Sequence, residues 1–563
     1  VPETRRLPVH PALAAAAPAQ SRYGRQTASG AAPSIVKALG RLPYWSLAGI
    51  IVGFGAVLRI RQWTFGRSFW SDELYVAHNL RERSYLELLE PLAFSQSAPP
   101  GWLWLERLSL QLFGPTEQSM RLVPLLFGLA LLPLVGWLGR RLMPPLTALT
   151  ALLLVAIAPF LIAYSNELKP YSAEAFCVTL LVGTALLLTR RNRLTRRSGI
   201  EFWGIALVTS VLSIMAIPVA AALGVLIGLH TLVSPGQRWV QRLRELGRFL
   251  LPAPIWIIAA LWIYVAVLAP GQNDAHLQAY WLGKAIYPYQ PLTNVPATLD
   301  WLDSTYRSLA RVPFVSWSAW IVVPLLVTGA VLWWRRVAAL AVLILVTPLM
   351  VGLVGAAASV YPFTGRLALY TVPALLMLAS LAVAAPDARH GVPSRVRRAL
   401  GAALVIALAA PQLALDVTAS TRPQHAFPQG GGANVADYRT ALRHLSDERR
   451  PDDLFLATRL SWNSQSYYGP PADGYVAPAP PTGCPQRTVA ELLAGRSRVW
   501  LFQITDWEEI ENRDVIVRLG SRGGAVTERI FRGARLVRID LPADVTVGAD
   551  VCLVAPPDGA AVR

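Results

Sequence analysis

Apolar and polar positions along this chain fall into long blocks, not into the short alternations of a soluble protein. Apolar stretches recur near 46–62, 121–139, 145–163, 171–189, 202–216, 218–233, 250–268, 316–334, 337–358, 366–384 and 398–415. Most approach the roughly 20 residues that an α-helix needs to cross a bilayer. The pattern predicts an α-helical multi-pass membrane protein with eleven transmembrane helices. The fifth and sixth share one run that is too long for a single span, and Pro218 divides it. In the first loop, 63–120, two amphipathic stretches at 80–94 and 101–113 are too short to span and are expected to lie along the interface.

After residue 416 the pattern changes. A Pro/Gly-rich linker, Arg422 to Gly432, leads into a helical period from Val435 to Arg450. Strand patterns follow at Asp453–Ala457, Arg498–Gln503, Arg535–Ile539 and Val551–Ala555, with a charged helix around Trp507–Arg518. This predicts a small α/β domain. The organisation expected is a disordered cytoplasmic arm over 1–45, a membrane domain over 46–415, a linker over 416–434 and the α/β domain over 435–563. The arm is rich in Ala, Pro and Arg and lacks the pattern of a cleaved signal, so the first helix is expected to anchor the chain.

Composition agrees with a bilayer environment. Hydrophobic residues make up 54% of the 563 and charged residues only 15%, against about a quarter in soluble chains. The net charge of +18 would suggest nucleic acid if it were not so unevenly placed. With the N-terminus inside, the clusters Arg140-Arg141, Arg190 to Arg197, Arg238 to Arg248, Arg335-Arg336 and Arg389 to Arg398 all fall on the cytoplasmic side. Counting 202–233 as one helix would scatter the later clusters over both faces. The basic charge therefore meets anionic headgroups; the bilayer is the expected partner, and nucleic acid is not. The same topology places 63–120, 164–170, 269–315, 359–365 and everything after about 416 outside the plasma membrane. There Cys484 and Cys552 either form a disulfide, which an oxidising compartment permits, or remain two buried thiols.

The outward segments hold the candidate chemistry. Asp72 and Glu73 follow the first span closely, where carboxylates are costly to keep near lipid. Sugar transfer to a hydroxyl needs a base for the proton and positive charge for the departing phosphate. Paired carboxylates raise one another's pKa, so Glu73 could tune Asp72 or hold an acceptor. The plainer alternative is a helix N-cap with a first-turn acid. Lys169, Arg366, Arg81 and Arg83 are cations on the same face, suited to a phosphate. Lys169 could instead form a surface ion pair with Glu167, and Arg366 could snorkel at a helix end, although an outward arginine runs against the charge bias. Tyr280 and Trp281 belong to an aromatic-rich loop, 269–315, that reads either as an interfacial belt or as a sugar-stacking gate. His78 reads as a packed residue. With no Asp-x-Asp near it and no His-Glu-x-x-His, neither a metal nor a cofactor is expected.

Taken in order, the segments resemble a known family. Asp72-Glu73, the link Gln96-Ser97-Ala98-Pro99-Pro100, and Tyr164-Ser165-Asn166-Glu167-Leu168-Lys169-Pro170-Tyr171 are similar to motifs of the C-type glycosyltransferases in the protein O-mannosyltransferase superfamily (glycosyltransferase family 39-like, bacterial branch). Tyr361-Pro362-Phe363-Thr364-Gly365-Arg366-Leu367 resembles that family's late outer turn. The resemblance covers about 46–415. It implies a polyprenyl-phosphate sugar donor, an acceptor hydroxyl on an envelope glycan, lipid or protein, Asp72 as general base, and Glu167, Tyr171, Tyr280 and Trp281 as substrate-binding residues. Ser97-Ala98 stands where the aminoarabinose-transferring branch has acidic and basic residues, which argues against a lipid A–type acceptor. A lipid-linked glycan polymerase or ligase shares the topology and donor. A flippase or transporter would call for mid-bilayer polar residues and internal repeats.

Overall fold

A computed structural model describes residues 42–191, 193–233, 238–272, 294–314, 326–331, 339–383, 394–421, 436–458, 461–478, 487–493, 495–505, 524–541 and 551–554. Its helices are α1 (Tyr44–Thr64), α2 (Ser71–Glu82), α3 (Pro100–Phe113), α4 (Leu122–Leu142), α5 (Pro145–Ala156), α6 (Pro159–Ala163), α7 (Tyr171–Leu188), α8 (Arg196–Leu212) and α9 (Ala216–Val233). Then come α10 (Trp239–Leu250), α11 (Ala253–Ile263), α12 (Val295–Phe314), α13 (Ala339–Ala357), α14 (Val372–Val383) and α15 (Ser394–Thr421). Five described helical segments are long and apolar enough to cross a membrane, or seven if each of two bent pairs is one span. Most of the eighth expected span, 316–334, lies outside the described residues, as do residues 1–41 of the expected arm.

Local breaks follow from the sequence. The run 202–233 parts between Leu212 and Ala216. Pro218 thereby falls in the first turn of α9, where its missing N–H costs no helix bond. α5 stops short of Pro159, and α5 with Pro159–Asn166 bends by 54°. Arg59, fully buried on α1, donates to the freed carbonyls of Ala156 (2.8 Å) and Val155 (3.2 Å), groups that a helix end otherwise leaves unsatisfied.

The first loop departs from expectation. A helix does cover 100–113, but none covers 80–94. The helix there begins earlier, at Ser71, and ends at Glu82; a single 3-10 turn, Glu87–Leu89, and an irregular link follow. The reason is a capping interaction: the Glu73 carboxylate accepts from the Trp70 N–H (3.3 Å) and starts the helix just ahead of Asp72.

The C-terminal domain holds α16 (Tyr438–Glu448), α17 (Trp462–Tyr468) and seven strands: β1 (Leu454–Thr458), β2 (Gly474–Pro478), β3 (Arg487–Thr488), β4 (Arg498–Ile504), β5 (Ala525–Phe531), β6 (Ala534–Asp540) and β7 (Val551–Val554). Their order is β3-β7-β2-β1-β4-β6-β5; β1 runs parallel to β2 and β4, and the remaining pairs are antiparallel. The helix expected around Trp507–Arg518 lies outside the described residues. Alternation sorts the two faces. Leu454, Leu456, Val499 and Leu501 pack on one side. Phe455, Trp500 and Phe502 pack on the other, in one core with Phe69, Trp70 and Leu74 of the first loop. The sheet thus sits against the segment that carries Asp72. Cys552 is disulfide-bonded and Cys177 is free; Cys484 lies outside the described residues.

Candidate active site

The two neighbouring carboxylates have different surroundings. Glu73 is buried and held by Arg121, with Nε to Oε1 at 2.7 Å and Nη2 to Oε2 at 2.6 Å. Its Oε1 also accepts from the Leu168 N–H at 2.8 Å. Arg121 in turn donates to the carbonyls of Arg67 (2.6 Å) and Ser68 (3.3 Å). Glu73 therefore ties the start of α2 to α4 and to the 164–170 turn, which fits the first-turn acid and leaves little room for an acceptor-holding role.

Asp72 turns the other way and keeps 20% of its side chain exposed. Lys169 Nζ lies 3.1 Å from Oδ1 and Arg366 Nη2 lies 2.8 Å from Oδ2. Burial alone would raise the Asp72 carboxyl, but the Lys169 and Arg366 charges outweigh it and hold the group below its ordinary value. Burial draws the Lys169 ammonium below its usual value; Asp72 opposes this and Arg366 adds to it. Lys169 also donates to Gln96 Oε1 at 2.7 Å. The Arg366 guanidinium lies 5.0 Å from the Trp70 ring centre and 6.0 Å from that of Tyr171, so cation–π attraction helps hold it.

Two glycines bring these groups together. Gly365 has φ +48°, the left-handed region that side chains avoid, and it aims the following Arg366 inward. A Cβ on Gly128 would sit 2.4 Å from the Ser165 Cβ; the bare backbone of α4 lets the 164–170 turn approach. That turn buries Glu167 and Lys169, so they are no surface ion pair. Burial first, then the Glu73 and Asp72 charges, push Glu167 up to about 7 against the pull of Arg366 and Lys169.

Of the other expected residues, Tyr171 stays beside Arg366, and the two arginines of α2 and its C-terminal end lie apart. Tyr171 is buried at the start of α7 and meets Tyr164 edge-on at 5.3 Å. Arg81 lies over the Tyr467 ring at 4.9 Å, and Arg83 donates to the carbonyls of Glu87 (3.2 Å) and Pro91 (2.9 Å). At about 1.5 Å per residue, Arg81 is roughly 13 Å along α2 from Asp72. Both arginines make their contacts away from the Asp72, Lys169 and Arg366 cluster. Tyr280 and Trp281 lie outside the described residues.

Sequence reasoning missed Arg121 and Gln96. Arg121 stands at a helix end expected to face outward, so the argument from charge bias that singled out Arg366 applies to it equally. Gln96 carried no signal beyond its place before Pro99-Pro100.

Residues 97–262 match the family described as dolichyl-phosphate-mannose-protein mannosyltransferase. ArnT from Cupriavidus metallidurans in the apo state shares 13% identity at a TM-score of 0.50, covering 88% of this chain and 98% of that one. The same enzyme bound to undecaprenyl phosphate gives 14% identity and a TM-score of 0.51, covering 91% and 99%. Over residues 97–262 the chain is similar to the mannosyltransferase family, and its overall fold is similar to that of ArnT. No curated protein matches it by sequence. The matched stretch includes Arg121, Glu167, Lys169 and Tyr171 but neither Asp72 nor Arg366; the fold brings those two to the same place.

Proposed function

We propose that this protein is a membrane glycosyltransferase that moves a sugar from a polyprenyl-phosphate-linked donor to a hydroxyl of an envelope glycan, lipid or protein at the outer face of the plasma membrane. The observation that carries this reading is the Asp72 carboxylate between Lys169 and Arg366. In the resting site the two cations neutralise Asp72. The donor phosphate, an anion of the same kind, competes for them. As they turn to the phosphate, Asp72 loses their stabilisation and its proton affinity rises. It then takes the proton of the acceptor hydroxyl while that oxygen bonds to the sugar C1. The C1–O bond to phosphate breaks, and the polyprenyl phosphate leaves with the bonding pair, held by Lys169 and Arg366. Glu73 acts as a positioning residue that fixes α2 through Arg121.

The fold match to an enzyme solved with undecaprenyl phosphate supports a lipid-phosphate donor. The one-sided arginine clusters support eleven spans, a cytoplasmic N-terminus, a membrane domain over 46–415 and an extracytoplasmic domain over 435–563. Titrating undecaprenyl phosphate against the protein in nanodiscs tests the reading, together with mass analysis of envelope glycans from cells with and without it. Saturable lipid binding and one missing glycoform are expected. No binding and an unchanged glycan profile would overturn the reading.

A further inference from the structure

Helix α2 exposes a single strip beside the candidate base. From Ser71 to Leu80, only Asp72, Tyr75 and His78 are half-exposed; every other residue is buried. Three-residue spacing puts them in one row on the helix surface. Whatever approaches the Asp72 carboxylate along α2 must therefore pass over Tyr75 and His78.

That row is covered by an aromatic ring in a built position. Phe94 stacks on Tyr75, with centroids 5.1 Å apart and planes at 21°, and meets His78 edge-on at 5.2 Å. Trp462 of the C-terminal domain meets His78 at 5.4 Å and Phe94 at 5.9 Å. Phe94 and Ser95 both have left-handed backbones, φ 62° and 52°, which L residues avoid and which cluster at functional positions. Two amides hold this link in place. Asn79 accepts from the Ala93 N–H at 2.9 Å and donates to the Ala93 carbonyl at 3.2 Å. Gln96 donates to the Phe94 carbonyl at 3.1 Å while accepting from Lys169 at 2.7 Å. The placement of the Phe94 ring is thus connected to the cation that pairs with Asp72.

Plain packing would not call for two successive left-handed residues to present a ring that stays half-exposed. Flat apolar rings next to a carboxylate suit a ligand with one apolar face and polar edges. The C–H face of a sugar ring, edged by hydroxyls, has that chemistry. We propose that the acceptor is itself a carbohydrate: its sugar ring stacks on Tyr75 and Phe94 with a hydroxyl directed at Asp72, and the C-terminal domain completes this subsite through Trp462. The inference rests on the transferase reading and narrows its acceptor to a glycan or glycolipid sugar.

The test uses the full chain in nanodiscs free of sugar detergents. Saturation-transfer NMR with methyl α-D-mannopyranoside and methyl β-D-galactopyranoside is compared with a Ser/Thr peptide and with decanoate. The ring protons of a glycoside should saturate, and Tyr75→Leu or Phe94→Leu should each weaken its binding by about three- to tenfold. Tyr75→Trp and Trp462→Phe, which keep a ring, should hold most of the binding even if a leucine variant proves unstable in a melting curve. Undecaprenyl phosphate titrations should be unchanged in the variants. Glycosides that bind no better than peptide or decanoate would overturn the proposal. So would folded leucine variants that hold glycosides as the wild type does. Failure of the wild type to bind undecaprenyl phosphate would count against the transferase reading, and glycoside binding would still be decided by its own titration.

Discussion

Arg366 Nη2 lies 2.8 Å from Asp72 Oδ2, a contact across 294 positions of the chain. With Lys169 on the other oxygen, it makes the resting site a closed charge cluster that a phosphate could reopen.

If these two cations grip the donor phosphate, Lys169→Met and Arg366→Met should each weaken undecaprenyl-phosphate binding. A charge-assisted bond contributes about 1.5–3 kcal/mol, or roughly one to two decades of affinity. Arg366→Lys should restore only part, since a point charge cannot reproduce the guanidinium fork or its stacking between Trp70 and Tyr171. Lipid titrations on the purified variants measure this.

Glu73 and Arg121 should behave differently. Removing one partner of a buried pair leaves a stranded charge and costs about 3–5 kcal/mol. Glu73→Ala or Arg121→Met should therefore lower the melting temperature clearly. The double variant Glu73→Leu with Arg121→Met should lose less than the sum of the two. Melting curves of the three proteins decide it.

The adjacent carboxylates were legible in the sequence; their division of labour was not. Asp72 and Glu73 look equivalent until Arg121, 48 residues on, and the Leu168 N–H claim one of them. Such contacts leave no local pattern. Apolar blocks located the helices from 121 to 233 to within a few residues, because burial in lipid is a property of composition, although the one expected over 202–216 runs over Arg196–Leu212 and the one over 145–163 breaks at Pro159. The 80–94 segment misled because its apolar spacing suits a helix, whereas Arg83 and Asn79 bond to loop carbonyls there. Strand β2 hid behind its terminal Gly474 and Pro478. Strand β5, on the sheet edge with exposed side chains, shows no apolar alternation for a reader to find.

Glu167 gives the protein a pH dependence with a defined sign. Its folded value is about 7, above the ordinary 4.3 or so of an unfolded glutamate. Between those values the folded state binds the extra proton, so this group's contribution is full below the unfolded value and is lost as pH rises through about 7. Asp72, held low, acts oppositely: its contribution is present above the ordinary aspartate value and is lost on acidification through its lowered one. Melting temperatures of wild type and Glu167→Gln from about pH 4 to 8.5 should converge at the acid end, separate progressively up to about 7 and stay apart by a constant margin above it, with the glutamine variant the more stable.

Topology is open to cysteine labelling. Arg197 and Ser446 are exposed, and eleven spans put them on opposite faces. In cells, Arg197→Cys should react with a membrane-impermeant maleimide only after permeabilisation, and Ser446→Cys without it. Labelling of both from the same side would overturn the count.

The role of Asp72 is tested most directly by Asp72→Asn. The substitution keeps the shape of the site and removes the proton acceptor, and a general base is worth about 10²–10⁴ in rate. Single-turnover transfer from a polyprenyl-phosphate sugar by the purified variant should fall by at least that lower factor. Undecaprenyl-phosphate binding should persist or tighten, because Lys169 and Arg366 no longer have to leave a carboxylate. Near-wild-type transfer by Asp72→Asn would contradict the account.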